Sequence, residues 1–363
     1  MKNGIFKLTD DGYGIHTFEM KILHLTHEEC STLNDRLFAN GAMHDIDSKN
    51  IIIARTEKNT GIRIKLYKRE IPYLEVIVNP WALLNRNSPL RITNSMTLDD
   101  ERLRARLNEV LCYYLGEEYG LERFHLTRID CSVTFMLSDP ALTIKYIDLI
   151  KRSLKKGNGK KIVRDRNANS DEERREQEIH SFQVAFRGEK FVAYDKLYEI
   201  KLRDPHYYND SGLLRIELAY NNIKINEISK AAGIDDIIWQ VRFFCDNAET
   251  LMRKFIRYRF AYGDYFSYEA ARQITESSGL RSKSIDKILE HLLNSYDYDD
   301  YNGYIRESKL SFKSEMKYRV IMDNLHCLRI NPVLIPRWDK ATAWLPGMYS
   351  LFGLIDEEVN ENE

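Results

Sequence analysis

No stretch of about 18 consecutive apolar residues occurs in the 363-residue chain, which excludes an α-helical membrane span of ordinary length. The opening Met1-Lys2-Asn3-Gly4-Ile5-Phe6 runs into polar sequence without the apolar stretch and small-residue cleavage site of a signal peptide, so a cytoplasmic location is expected. Cysteine is sparse. Cys30, Cys112, Cys131, Cys245 and Cys327 lie far apart with no Cys-x-x-Cys pair, and they read as reduced structural residues. Net charge is nearly absent too: 54 Lys and Arg stand against 55 Asp and Glu. Overall charge therefore gives no sign of a nucleic-acid partner, and only a local distribution could supply one. What remains is an ordinary soluble composition, 43% apolar and 30% charged. The length suffices for two domains, or for one large α+β unit with an appended helical part.

Residues 1–95 read as β-rich. Lys21–Leu25, Asn50–Arg55, Gly61–Tyr67 and Tyr73–Pro80 are strand candidates, the third alternating Arg63 and Lys65 against Ile62, Ile64 and Leu66. Between Met96 and Gly120 the period becomes helical, with Leu103, Leu107 and Leu111 on one stripe and Asp99, Asp100 and Glu101 at its start. A strand at Arg128–Phe135 and a helix from Ala141 to Leu154 repeat these materials, which suggests two related halves sharing one sheet. Residues 155–180 break the pattern with a basic run containing Lys155, Lys156, Lys160 and Lys161, followed by a run of acids. That segment reads either as a solvated loop or as an arm that contacts phosphates. Past Asn222 the pattern is helical, with one helix over Asp235–Tyr258, others at Tyr268–Ser277, Ser284–Tyr296 and Lys313–Leu328, and an acidic tail at 356–363. Within the first of these, Arg253–Phe260 mixes bases with aromatics, as a nucleic-acid contact or an amphipathic helix would.

Three strands carry the candidate chemistry. Ser181–Tyr194 reads as a hairpin turning at Arg187-Gly188-Glu189-Lys190, with Tyr194 and Lys196 on one face. In Leu214–Tyr220, Arg215, Glu217 and Ala219 alternate with Ile216, Leu218 and Tyr220; in Thr127–Phe135, Arg128, Asp130, Ser132 and Thr134 alternate with Ile129, Cys131, Val133 and Phe135. Tyr194 is the candidate nucleophile, because a tyrosine attacking a DNA phosphodiester conserves the bond as a phosphotyrosine ester. A phenol with pKa near 10 needs a neighbouring cation, a base or a metal. Lys196 could supply the first. Asp130 and Glu217 offer hard oxygen ligands for Mg²⁺ or Mn²⁺, and Arg128 or Arg215 could hold an adjacent phosphate. The same residues also read as cross-strand ion pairs beside a packing tyrosine.

Tyr194-Asp195-Lys196-Leu197-Tyr198-Glu199, with Leu214-Arg215-Ile216-Glu217-Leu218 about twenty residues on, resembles the Tyr-Asp/Asn-Lys-x-x-Glu and Arg-Ile/Val-Glu pair of rolling-circle replication initiators of Gram-positive plasmids, relaxases and filamentous-phage gene II proteins. Thr127-Arg128-Ile129-Asp130 resembles their upstream Arg-Ile-Asp strand. Gly263–Ala270 and Asn331–Pro336 resemble C-terminal features of the gene II-type proteins. The resemblance implies a phage or plasmid initiator that nicks one DNA strand at a replication origin, stays joined to the 5′ phosphate and uses a divalent cation. Tyr194 would be the nucleophile and Tyr198 its reserve. Lys155, Lys156, Lys160 and Lys161 join Arg128 and Arg215 as expected DNA contacts, with a host helicase and a second copy of the chain as further partners. Two departures stand out: the His-hydrophobic-His metal motif is replaced at best by His24-Leu25-Thr26-His27, and the Gly-Ser-rich approach to the tyrosine is missing. A nuclease that activates water with the same carboxylates and a non-catalytic origin- or operator-binding protein are the alternatives. The expected fold is an α+β, antiparallel sheet-based nicking-endonuclease-like domain over residues 1–230, followed by a helical domain over 231–355.

Overall fold

The computed structural model describes residues 4–45, 48–55, 61–85, 90–155, 159–161, 171–296 and 312–355. In chain order the first half holds β1 (Phe6–Ile22), α1 (His27–Ala39), β2 (Met43–Asp45), β3 (Ser48–Arg55), β4 (Ile62–Tyr67), β5 (Tyr73–Val78), α2 (Pro80–Asn85) and α3 (Asp100–Leu115). There follow β6 (His125–Leu137), α4 (Ala141–Ser153), β7 (Lys160–Lys161), α5 (Asp171–His180), β8 (Ser181–Ala185), β9 (Glu189–Asp195), α6 (Lys196–Lys201) and β10 (Gly212–Asn221). The remainder is α7 (Asn222–Ala232), α8 (Ile237–Asp246), α9 (Ala248–Arg259), β11 (Tyr265–Phe266), α10 (Tyr268–Glu276), α11 (Ser282–Tyr296), α12 (Phe312–Cys327), β12 (Trp344–Leu345) and α13 (Met348–Leu351).

Ten of these strands form one antiparallel sheet in the order β2-β3-β4-β5-β1-β6-β10-β9-β8-β7. The order outward from the centre is the same on both sides. Each half lays down a long central strand and a helix, then adds strands inward from the edge until the last pairs with the first: β5 beside β1, and β10 beside β6.

Period-2 alternation gives the sheet one apolar and one polar face. Ile129, Cys131, Val133, Ile216, Leu218 and Phe191 are buried on the apolar side. Helices α8 and α9 cover it: Cys131 Sγ donates to the Phe244 carbonyl, and Phe255 stacks on Phe191 with ring centroids 5.3 Å apart. Losing a ring from such a stack costs about 3 kcal/mol or more. The sheet's core thus extends into residues 237–259, while Ala271, Ile288, Leu292, Leu325, Ile330 and Leu334 form a second, separate cluster.

Several local expectations change. The strand read at Lys21–Leu25 is only the end of a 17-residue β1, which stops at Ile22 ahead of Thr26, the side-chain cap of α1. The helix read over Asp235–Tyr258 is two helices, broken at Asn247, whose side chain turns back to the Phe243 carbonyl. Residues 171–180 of the charged segment are helical rather than loop. Of α9, Met252, Phe255 and Ile256 face the core while Arg257 and Tyr258 reach water, the amphipathic arrangement.

Two distant segments meet in the C-terminal part. Asp264 and Ile330 form a parallel bridge, and Asn331, almost fully buried, donates to the Ala261 carbonyl at 3.0 Å and accepts from Val333 N at 3.0 Å. At Gly347 a Cβ would lie 2.0 Å from the Gly263 carbonyl oxygen, so only glycine allows this approach.

Candidate active site

The polar face gathers the two motifs. Tyr194 stands opposite Arg215 across β9 and β10, and Glu217 stands opposite Ser132 across β10 and β6. Period 2 then puts Tyr194, Arg215, Glu217, Ser132 and Asp130 on one side. The Tyr194 hydroxyl donates to Oε1 of Glu217 at 2.8 Å, and Nδ1 of His16 lies 2.9 Å from the same oxygen.

His16 reaches this point through an irregularity in β1. Ile15 pairs with Cys131 and Thr17 with Asp130, so His16 is an extra residue with no opposite number, a bulge that turns its ring toward Glu217. The sequence reading missed it. The signal was present in the apolar spacing, where Ile15 to Phe18 is a step of three before Met20 and Ile22 resume steps of two.

Lys196 is not on the strand with Tyr194. Asp195 ends β9 and caps α6 by accepting from Tyr198 N, so Lys196 opens the helix, with its ammonium 5.8 Å from the Tyr194 ring centre and paired to Glu199 at 2.7 Å. The cation is beside the phenol by this different route. The other carboxylate oxygen of Asp195 meets His180 Nδ1 at 3.1 Å, and Tyr198 stacks on that imidazole at 3.8 Å. Tyr194, Asp195, Tyr198, Glu199, His180 and Arg203 line a cavity of about 250 Å³.

Burial sets the electrostatics. It pushes the Tyr194 hydroxyl well above its ordinary range, and the Glu217 charge adds to this. Burial would also raise the Glu217 carboxyl, but His16, Arg215 and the Tyr194 hydrogen bond outweigh it and hold the group well below the usual carboxylate range. Lys196 is pushed down to about 8 by burial and by Arg215. The resting state is therefore a neutral phenol on an ionised carboxylate.

Asp130 lies on the same face but is otherwise engaged. Arg128 grips it with Nε and Nη2, both at 2.8 Å, and also reaches Glu19 at 2.8 Å, while Thr17 Oγ1 donates to it at 2.5 Å. Asp130 and Glu217 are offset by one step on neighbouring strands, yet each is held by internal donors. Among the described residues no three His, Cys, Asp or Glu side chains gather closely enough to hold a metal ion. The arrangement does not fit a preformed Mg²⁺ or Mn²⁺ centre.

Arg215 is fully buried, spending Nε on Thr134 Oγ1 at 2.8 Å and Nη2 on the Leu90 carbonyl, so it shapes the field inside the site and offers no surface to DNA. Its Nη1 and Ser132 Oγ, both buried here, have no hydrogen-bond partner among the described residues. Lys155 and Lys160 are exposed, the latter at the β7 edge of the sheet, apart from the Tyr194 cluster. Lys156 lies outside the described residues, and of Lys161 only the backbone, in β7, is described. The cysteines form no disulfide, and among the described residues no helix is long and apolar enough to cross a membrane.

No protein-family model matches this chain, and no curated protein matches it. Among solved structures, a rolling circle replication initiator protein from Geobacillus stearothermophilus is similar over 69% of this chain and 86% of its own, at 10% identity and a TM-score of 0.33. A likeness of that size does not by itself assign a fold or a function.

Proposed function

We propose that this chain is a DNA nicking and joining enzyme of the rolling-circle initiator kind, acting through a tyrosine on the polar face of the sheet. The observation that carries the reading is the Tyr194–Glu217 hydrogen bond: two motifs separated by about twenty residues of sequence close into one buried pair, with Lys196, Arg215 and His16 around it. In this reading the phenolic proton leaves along the hydrogen bond to Glu217 and passes on to solvent as Tyr194 Oη attacks phosphorus, the bond to the 3′ oxygen breaks with that oxygen taking up a proton from solvent, and the 5′ phosphate stays on the enzyme. Lys196 and Arg215 supply positive charge beside the developing phenolate, and the buried surroundings amplify it. Reversal by a 3′ hydroxyl rejoins the strand.

Because Arg128 occupies Asp130, no step is assigned to a divalent ion; the requirement for Mg²⁺ or Mn²⁺ is tested by adding it. Incubating the protein with labelled single-stranded DNA, with and without Mn²⁺, and resolving the products on a denaturing gel decides the matter. A covalent protein–DNA band supports the proposal. Cleavage without that band would replace it with a water-using nuclease, and unaltered DNA that is nevertheless bound would leave only a binding protein.

A further inference from the structure

The half of the sheet that lacks the motifs carries a counterpart of the site. On β10 Glu217 accepts from a tyrosine of the neighbouring β9; on β5 Glu75 accepts from a tyrosine of the neighbouring β4, Tyr67 Oη lying 3.4 Å from its Oε1. Since β5 stands beside β1 as β10 stands beside β6, the two pairs occupy equivalent places in the two halves. They also share a face: Lys65, Glu75 and Lys21 are opposite one another, Lys21 is two residues from Glu19, and Glu19 is opposite and bonded to Arg128, two residues from Asp130.

The chemistry differs at the second place. Tyr67 and Tyr73 face each other across β4 and β5 with rings stacked at 4.3 Å and 13°. Arg69 lies 5.4 and 5.9 Å from their ring centres, and Lys21 is 5.5 Å from Tyr73. Lys21 and Lys65 pair with the single carboxylate, Glu75, at 2.8 and 3.2 Å. Lys21, Lys65 and Arg69 stand against Glu75 and the nearby Glu19, whose charge reaches Tyr67, and both rings are part-exposed.

We propose that the Tyr67–Tyr73 stack with Lys21, Lys65 and Arg69 is a platform for single-stranded DNA, with a base stacking on the tyrosines and its phosphates meeting the cations. Tyrosine rings bordered by Lys and Arg accept any base through its π-face, while the cations follow the backbone. Five strand spacings separate β4 from β9, about 24 Å, a reach that a strand of a few nucleotides covers without leaving the face. The platform would hold DNA that flanks the bond at Tyr194. It rests on the proposed function only for its ligand being DNA.

Fluorescence anisotropy with a labelled single-stranded oligodeoxynucleotide and a duplex of equal length tests this. Tyr73→Ala should weaken single-strand binding by at least about fivefold and duplex binding little, while Tyr73→Phe, which keeps the stack, should stay near wild type. Lys65→Ala and Arg69→Ala should each lower the slope of log affinity against log salt by about 0.7. Lys283→Ala with Lys287→Ala, on α11, is the control and should change nothing. Unchanged affinity in Tyr73→Ala, or salt slopes equal to the control in both cation variants, would overturn the platform; a Phe variant as weak as Ala would overturn stacking, and equal losses on duplex the choice of single strand. The covalent-adduct gel of the wild-type protein reads the other question separately. Affinity losses without any adduct would remove the Tyr194 reading and keep the platform, whereas an adduct with indifferent variants would do the reverse.

Discussion

Tyr194 Oη sits 2.8 Å from Oε1 of Glu217, a neutral donor on an ionised acceptor with both groups buried. Tyr194→Phe removes that one donor and leaves His16 as the other contact to Oε1. The fold should lose about 1 kcal/mol, read from the urea midpoint, and DNA binding should persist. The covalent adduct should vanish from the denaturing gel. An adduct that survives in Tyr194→Phe and disappears in Tyr198→Phe would move the nucleophile to the tyrosine stacked on His180.

The depressed Glu217 carboxyl makes acid stability a second test. Its folded pKa lies below the unfolded value of 4.5, so the unfolded chain binds its proton first as pH falls. The stabilisation is full above about pH 4.5 and is lost progressively below it. Glu217→Gln should therefore be less stable than wild type at neutral pH, and the gap between their urea midpoints should narrow as pH falls. A gap constant from pH 7 to pH 3 would show that Glu217 is not held ionised by its neighbours.

Strand alternation made Tyr194, Arg215, Glu217 and Asp130 legible, because a side-chain period of 2 survives wherever one face is buried. The reading of cross-strand ion pairs holds for Arg128, which meets Glu19 on the neighbouring β1, whereas its two-pronged contact to Asp130 lies within β6 itself. His16 was hidden because a bulge moves a side chain between faces without changing composition. Lys196 was placed on a strand because nothing in alternation says where a strand stops; the stop is the Asp195 side chain, which prefers capping a helix to continuing a ladder. Asn247 broke the long helix by the same kind of competition. The two equal halves of the sheet follow from pairing order, which residue identity between them scarcely marks.

Asn331 ties two segments that lie far apart in sequence. Its amide donates to the carbonyls of Ala261 and Gly263, at 3.0 and 3.4 Å, and its oxygen accepts from Val333 N, all in a buried setting. Asn331→Ala should cost about 2 kcal/mol or more, since it strands buried carbonyls and a buried N–H. Asn331→Asp should be no better, because a carboxylate cannot donate to the two carbonyls. Thermal unfolding followed by circular dichroism measures both. Either variant melting as wild type does would remove Asn331 from this role.

The Arg128–Asp130 pair separates an interior support from a metal ligand. Asp130 is almost wholly buried, and its charge is met by a two-pronged guanidinium contact and by Thr17. Arg128→Ala would leave a buried carboxylate with one neutral donor and should cost about 3 kcal/mol. Arg128→Lys should recover little, because an ammonium cannot span both oxygens in the plane that guanidinium matches. Removing the acid as well relieves the stranded charge, so Arg128→Ala with Asp130→Ala should lose less than the sum of the single variants, by about 1 kcal/mol or more. If Asp130 were instead a cation ligand, Mn²⁺ would stabilise Arg128→Ala, where the carboxylate is freed, more than wild type, and would do nothing for Asp130→Ala. Urea titrations of the four proteins with and without Mn²⁺ decide between the two, and additive single variants with no response to Mn²⁺ would exclude both.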